Sequence, residues 1–93
     1  MANIKVLQMP QFKRAYKKLH NNQKIAVDNA ITDITKNPLA GEEKKGDLAG
    51  VYVYKLNNVN QQFLLAYEFD PKHRILLALG VHENFYRDLK KIR

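Results

Sequence analysis

The chain has 93 residues, 45% of them apolar, and a formal charge of +7 from 16 Lys and Arg against 9 Asp and Glu. That length suits about one domain around one core, and the small share of glycine and proline excludes a linker-rich or disordered chain. The absence of cysteine excludes a disulfide framework, a thiol nucleophile and a thiolate metal site, which fits a reducing compartment.

The excess charge is uneven, because residues 1–27 hold six basic residues and no acidic one. A cationic front end attracts phosphate backbones or an acidic protein. For any single lysine, a solvated helix face is an equally good account. The N-terminus alternates (Asn3, Ile4, Lys5, Val6) where a signal peptide would run apolar, and no apolar stretch approaches membrane-spanning length. A soluble, cytoplasmic protein with no membrane partner is expected.

Residues 3–9 alternate and are closed by Pro10, which predicts an opening strand. From Gln11 the period changes: Phe12, Tyr16 and Leu19 share one helical face and Lys13, Arg14, Lys17 and Lys18 cover the rest. Asn22 is a candidate cap for a second helix whose inner face is Val27, Ala30, Ile31 and Ile34, and Asn37-Pro38 ends it. So short a turn predicts an antiparallel helical hairpin. Residues 38–50, PLAGEEKKGDLAG, are expected as an exposed loop.

Three strand candidates follow, at 51–57, 62–69 and 74–81, joined by short polar connections that predict a meander. From Glu83 the pattern is helical again, with Phe85, Leu89 and Ile92 in register. The expected fold is a single α+β domain over residues 1–93. An N-terminal strand and a two-helix hairpin pack on one face of a small, mainly antiparallel sheet in the order β-α-α-β-β-β-α, and the other face is left open.

On strand 62–69, Phe63, Leu65, Tyr67 and Phe69 belong under the helices, while Leu64, Ala66 and Glu68 point the other way. Lys55 and His82 could both reach that second face, where a lysine and a histidine suit a phosphate-bearing ligand. The chemistry that fits is RNA cleavage by in-line attack of the 2′-hydroxyl on the adjacent phosphate. It needs a base, an acid for the leaving 5′-oxygen, and fixed positive charge. It needs no metal or other cofactor, and His20, His73 and His82 have no ligand spacing.

Blander accounts stand beside these. A histidine at a strand end is most often a capping or surface residue. Tyr86 could extend the Phe85, Leu89 stripe, Lys44 and Lys45 could be solvated loop charges, and His20 and His73 read as turn residues. GEEKKGDLAG matches no nucleotide-binding loop.

The segments KKGDLAGVYVYKL, QFLLAYEFD and ILLALGVHENFYRDLKK, in that order after a helical hairpin, resemble the RelE/ParE superfamily of type II toxins from bacterial toxin–antitoxin pairs. The resemblance covers nearly the whole chain. It implies a toxin neutralised by a cognate antitoxin that wraps it in a hetero-oligomeric complex. In the RelE branch it implies a ribosome-dependent, metal-independent endoribonuclease acting on mRNA. Lys55 then matches a lysine that contacts the scissile region, His82 falls where such enzymes place a general acid, and Tyr86 corresponds to a tyrosine that orients the nucleotide.

The sequence departs from the family pattern at two cationic positions. Phe63-Leu64 stands where Tyr-Arg is usual, and Val53 stands two residues before Lys55. Another cation, such as Arg74, Arg87 or Lys45, would have to substitute. Lys13 and Lys17 on the first helix and Lys90, Lys91 and Arg93 at the end are expected to dock on ribosomal RNA. The alternatives are a ParE-like protein that binds and inhibits DNA gyrase without catalysis, and an inactive toxin-derived binding module.

Overall fold

In the computed structural model, which describes residues 4–58, 61–81, 85, 86 and 89, two helices and five strands run in the order β1 (Lys5–Gln8), α1 (Pro10–Lys17), α2 (Asn21–Lys36), β2 (Glu42–Glu43), β3 (Tyr52–Asn58), β4 (Gln61–Asp70) and β5 (His73–Val81). The sheet order is β1-β5-β4-β3-β2. β3, β4 and β5 form the expected antiparallel meander, and β1 lies parallel to β5, with Lys5 opposite His73 and Gln8 opposite Leu76. Phe85, Tyr86 and Leu89 are helical; the remainder of the last expected helix, including Glu83 and Ile92, lies outside the described residues.

Local chemistry explains the helix ends. Pro10 opens α1, where a missing N–H costs nothing, and Arg14 and Lys17 occupy its last turn, next to the negative end of the helix dipole. The cap of α2 lies earlier than the expected Asn22: His20 is the N-cap, and its backbone N–H donates to Gln23 Oε1 at 2.8 Å. Half of a capping box thus comes from the glutamine three residues on. Two tyrosine hydroxyls tie the helices down, Tyr16 donating to Asp28 Oδ1 and Tyr54 to Asp33 Oδ2, each at 2.9 Å.

The main core lies between the helices and the sheet: Phe12, Val27, Ala30 and Ile34 meet Leu56, Phe63, Leu65, Tyr67, Leu76 and Leu79. Strict alternation would put Leu76 and Leu79 on opposite faces. A bulge resolves this, because Ala66 pairs with Ala78 while Tyr67 pairs with Leu76, so Leu77 is the extra residue and both leucines reach the helices.

The expectation of an open second face is overturned. Leu48, Val51, Val53, Leu64, Ala66, Leu77, Ala78, Phe85 and Leu89 form a second buried cluster there. Its cover is assembled from Leu48 in the segment before β3 and from Phe85 and Leu89 near the C-terminus. Nor is 38–50 simply a loop: it holds two 3₁₀ turns, Pro38–Ala40 and Gly46–Leu48, and the short strand β2.

This segment is firmly attached. The buried Tyr67 hydroxyl donates to Pro38 O at 2.6 Å and accepts from Gly41 N at 2.9 Å. A Cβ on Gly41 would stand 2.8 Å from that hydroxyl and 2.9 Å from Val53 O, so only glycine fits the approach. Lys44 N bonds Val51 O at 2.8 Å, and Gly46 and Gly50 take positive φ values of 69° and 87° to turn the chain back into β3.

Candidate functional site

Two depressions flank the segment 40–48. One, of about 360 Å³, is lined by Ala40, Glu42, Val53, Tyr54 and Lys55. The other, of about 270 Å³, is lined by Lys44, Lys45, Asp47, Leu48 and Tyr86. Lys55 is exposed on β3 opposite Leu64, so it stands on the second face as expected from alternation. It lines the first depression and Tyr86 the second, and Glu42 lies between them as a wall of the first and an ion-pair partner of Lys44 in the second.

Tyr86 is half-buried and set by its neighbours. Its ring packs edge-on to Phe85 at 5.4 Å between centroids, and Phe85 is itself fixed in the second core. The Lys44 ammonium sits 5.2 Å from the Tyr86 ring centroid and 3.4 Å from Glu42 Oε1. The Tyr86 side chain, more than the Glu42 carboxylate, raises the lysine pKa above its ordinary value against the opposing effect of burial. Lys44 is therefore a fixed positive charge at neutral pH. It was not among the sequence candidates: a charged pair in a glycine-bounded stretch has no periodicity that ties it to a residue 42 positions away.

Lys45 lines the same cavity and is exposed. Lys13 and Lys17 are exposed on the outer face of α1 with Arg14 and Lys18, a compact cationic strip. His82, Arg87, Lys90, Lys91 and Arg93 lie outside the described residues.

Arg74 is a correction. Expected as a substitute cation for RNA, it is 4% exposed, with Nε donating to Ile34 O, Nη2 to Thr35 O, and Nη1 to Asp70 O and His73 O, all within 3.1 Å. Alternation from Leu76 places it under the C-terminal end of α2. There its charge meets the carbonyls that the helix leaves unpaired. It fastens β5 to α2, with four of its five N–H donors committed to backbone carbonyls.

At the start of β5, Asp70 Oδ1 accepts from Lys72 N, His73 N and His73 Nδ1 at 2.8–2.9 Å. The Lys72 backbone N–H, followed by the His73 ring, holds the Asp70 carboxyl below its ordinary pKa. His73 is a turn-closing residue, as its sequence context suggests. Among the described residues no three His, Asp or Glu side chains gather where a metal could be held, and no helix is long and apolar enough to cross a membrane.

Residues 6–90 match the model of the ParE-like toxins of type II bacterial toxin–antitoxin systems. No curated protein sequence matches it. Among solved structures, a variant of the E. coli toxin RelE in the free state superposes with a TM-score of 0.74 at 16% identity, over 98% of this chain and 93% of that one. The RelBE2 toxin–antitoxin complex of Mycobacterium tuberculosis gives 0.70 at 21% identity, over 88% and 94%. The YoeB/ParE toxin of Agrobacterium tumefaciens gives 0.68 at 16%, over 85% and 99%. At these identities the likeness is one of fold, and it extends to the two-helix layer on a mostly antiparallel sheet.

Proposed function

Because the chain belongs to the ParE-like toxins of type II bacterial toxin–antitoxin systems, we propose that it is held inactive by a cognate antitoxin and, when released, cleaves messenger RNA on the ribosome. The reaction is attack of a 2′-hydroxyl on the adjacent phosphate. The new P–O bond closes a 2′,3′-cyclic phosphate and the 5′-oxygen leaves with a proton. His82 donates that proton, Lys55 contacts the phosphate or accepts the 2′-hydroxyl proton, and Tyr86 orients the nucleotide. The exposed Lys13 and Lys17 hold the toxin to ribosomal RNA through charge, in an association that weakens with salt.

The observation that carries this reading is the cavity in which Tyr86 is fixed beside Lys44 and Lys45. An aromatic side chain with a hydrogen-bonding end, flanked by cations and set on an apolar floor, suits a nucleotide and its phosphate. Tyr86 also follows His82 by four positions in the sequence.

A second reading has its own observation. Val53 and Leu64, at the positions where the RelE-like pattern carries cations, are 2% and 0% exposed; a sheet face without those charges suits a non-enzymatic toxin that binds DNA gyrase. Induced expression followed by mapping of new mRNA 5′-ends separates the two. Codon-phased cuts are expected, lost by about a hundredfold or more in His82→Ala and reduced in Tyr86→Phe. Growth arrest with intact messages and damaged chromosomes would establish the gyrase reading instead. No arrest at all would leave a toxin-derived binding module.

A further inference from the structure

At positions 53 and 64 the second face cannot carry a cation without dismantling a core, because a charge there would be buried among apolar side chains. Beyond Lys55, a nuclease on this scaffold needs the charge of those two positions from elsewhere, and Lys44 is placed to provide it. Its backbone is anchored, with Lys44 N bonded to Val51 O, the preceding residues paired to β3, and the start of the segment held by Tyr67 at Pro38 and Gly41. Its side chain is only 21% exposed, against 71% for Glu42, so this is not a lysine waving in solvent.

The ammonium group has three N–H donors. One reaches Glu42 Oε1 at 3.4 Å, while the ammonium stands 5.2 Å from the Tyr86 ring centroid. Glu42 is a loose partner, long in distance and mostly in water, and such pairs contribute little. An incoming anion can displace it. The lysine's raised pKa makes it a poor proton acceptor and leaves charge and hydrogen bonding as its chemistry. Within the lining, Lys44 and Lys45 outnumber Asp47.

We propose that Lys44 is the phosphate-binding cation of this site, holding a backbone phosphate of the RNA strand in the cavity between residues 44–48 and Tyr86. It takes the place of strand cations that Val53 and Leu64 have displaced. The proposal deepens the nuclease reading and rests on it for the identity of the strand, while the anion site itself rests on Lys44, Tyr86 and the cavity between them.

Two experiments on the full-length chain test it. In cells, mRNA 5′-end mapping is run for the parent, Lys44→Ala, Lys44→Met and Lys44→Arg, with thermal melts to show that each variant folds. Cutting is expected to fall about a hundredfold to a thousandfold in the first two, the range found when one positioned donor is removed, and to return within about tenfold in Lys44→Arg. In solution, inorganic phosphate is titrated while the Tyr86 ring resonances are followed by NMR, with sodium chloride at matched ionic strength as control. Phosphate is expected to shift them in the parent and in Lys36→Ala, which removes an exposed lysine at the end of α2, but not in Lys44→Met.

Parental cutting in a folded Lys44→Met chain would overturn the role of Lys44 and leave the nuclease reading standing. No cutting by the parent would remove the nuclease reading, and the titration would then decide alone. A Lys44-dependent phosphate shift would keep the anion site; equal shifts with phosphate and chloride, or shifts that survive Lys44→Met, would eliminate it.

Discussion

The two faces of the sheet are both buried but by different means. On one, two continuous helices lay a single apolar stripe across β3, β4 and β5. On the other, the cover is pieced together from Leu48, in a segment turned by Gly46 and Gly50, and from Phe85 and Leu89. In the first arrangement each helix is a continuous, cooperative element. The second joins segments far apart in the chain, and its seam is where Lys44 meets Tyr86. The helix face thus rests on continuous elements, and the pieced face provides a cavity with a charged rim.

Substitutions can break or sharpen this contrast. The largest effect is expected from Leu64→Arg, which restores a family-like cation but places it at a fully buried position. Urea denaturation should show a loss of several kcal/mol; a stability equal to the parent's would mean that the second face opens to water. Next come Phe12→Ala and Leu48→Ala, one from each core. The first should cost about 3–5 kcal/mol and the second nearer 2 kcal/mol, because a surface segment can partly collapse into the void. Hydrogen exchange should separate them further, with Leu48→Ala accelerating the Val51 amide, which bonds Leu48 O, well beyond the helices.

Arg74→Gln is expected to cost about 1.5–3 kcal/mol, since it loses charged hydrogen bonds to four carbonyls, while the phosphate-induced shift of Tyr86 stays. Loss of that shift in a folded chain would return Arg74 to the site. The smallest effects are those of pH. Lys44, with its pKa raised, contributes fully below its ordinary value of 10.5 and loses that contribution as pH rises through the folded-state pKa. The stability difference between parent and Lys44→Met should therefore shrink on the alkaline side. Asp70, with its pKa lowered, behaves oppositely: its contribution is present above 3.8 and disappears on acidification, so Asp70→Asn should converge with the parent only in acid.

The helix face was legible in the sequence because two periods agree there. Phe12 and Tyr16 repeat at helical spacing, and Phe63, Leu65 and Tyr67 repeat at strand spacing, so each half of the core announces its partner. The second core was not, because Leu48 sits in a polar, glycine-bounded stretch that reads as loop. Alternation did place Leu64 and Ala66 on that face but said nothing about what covers them. Arg74 misled for a related reason: an arginine in a strand is usually exposed, and its four carbonyl partners come from two separate segments. The cavity was half legible. Tyr86 stood out by its motif, whereas Lys44 gains its role from a contact that only the folded chain creates.

The parallel pairing of β1 with β5 has a consequence for how the molecule comes into being. Residue 5 finds its partner at residue 73, so the sheet joins the two ends of the chain. Contacts of such long sequence separation form slowly, because the loop between them must be closed first. During synthesis the opening strand has no neighbour to bond until nearly the whole chain has emerged. The segment that forms the seam at Tyr86 comes later still. A partial chain therefore has helices but no completed sheet, and the cavity beside Tyr86 forms only after β5 has been made.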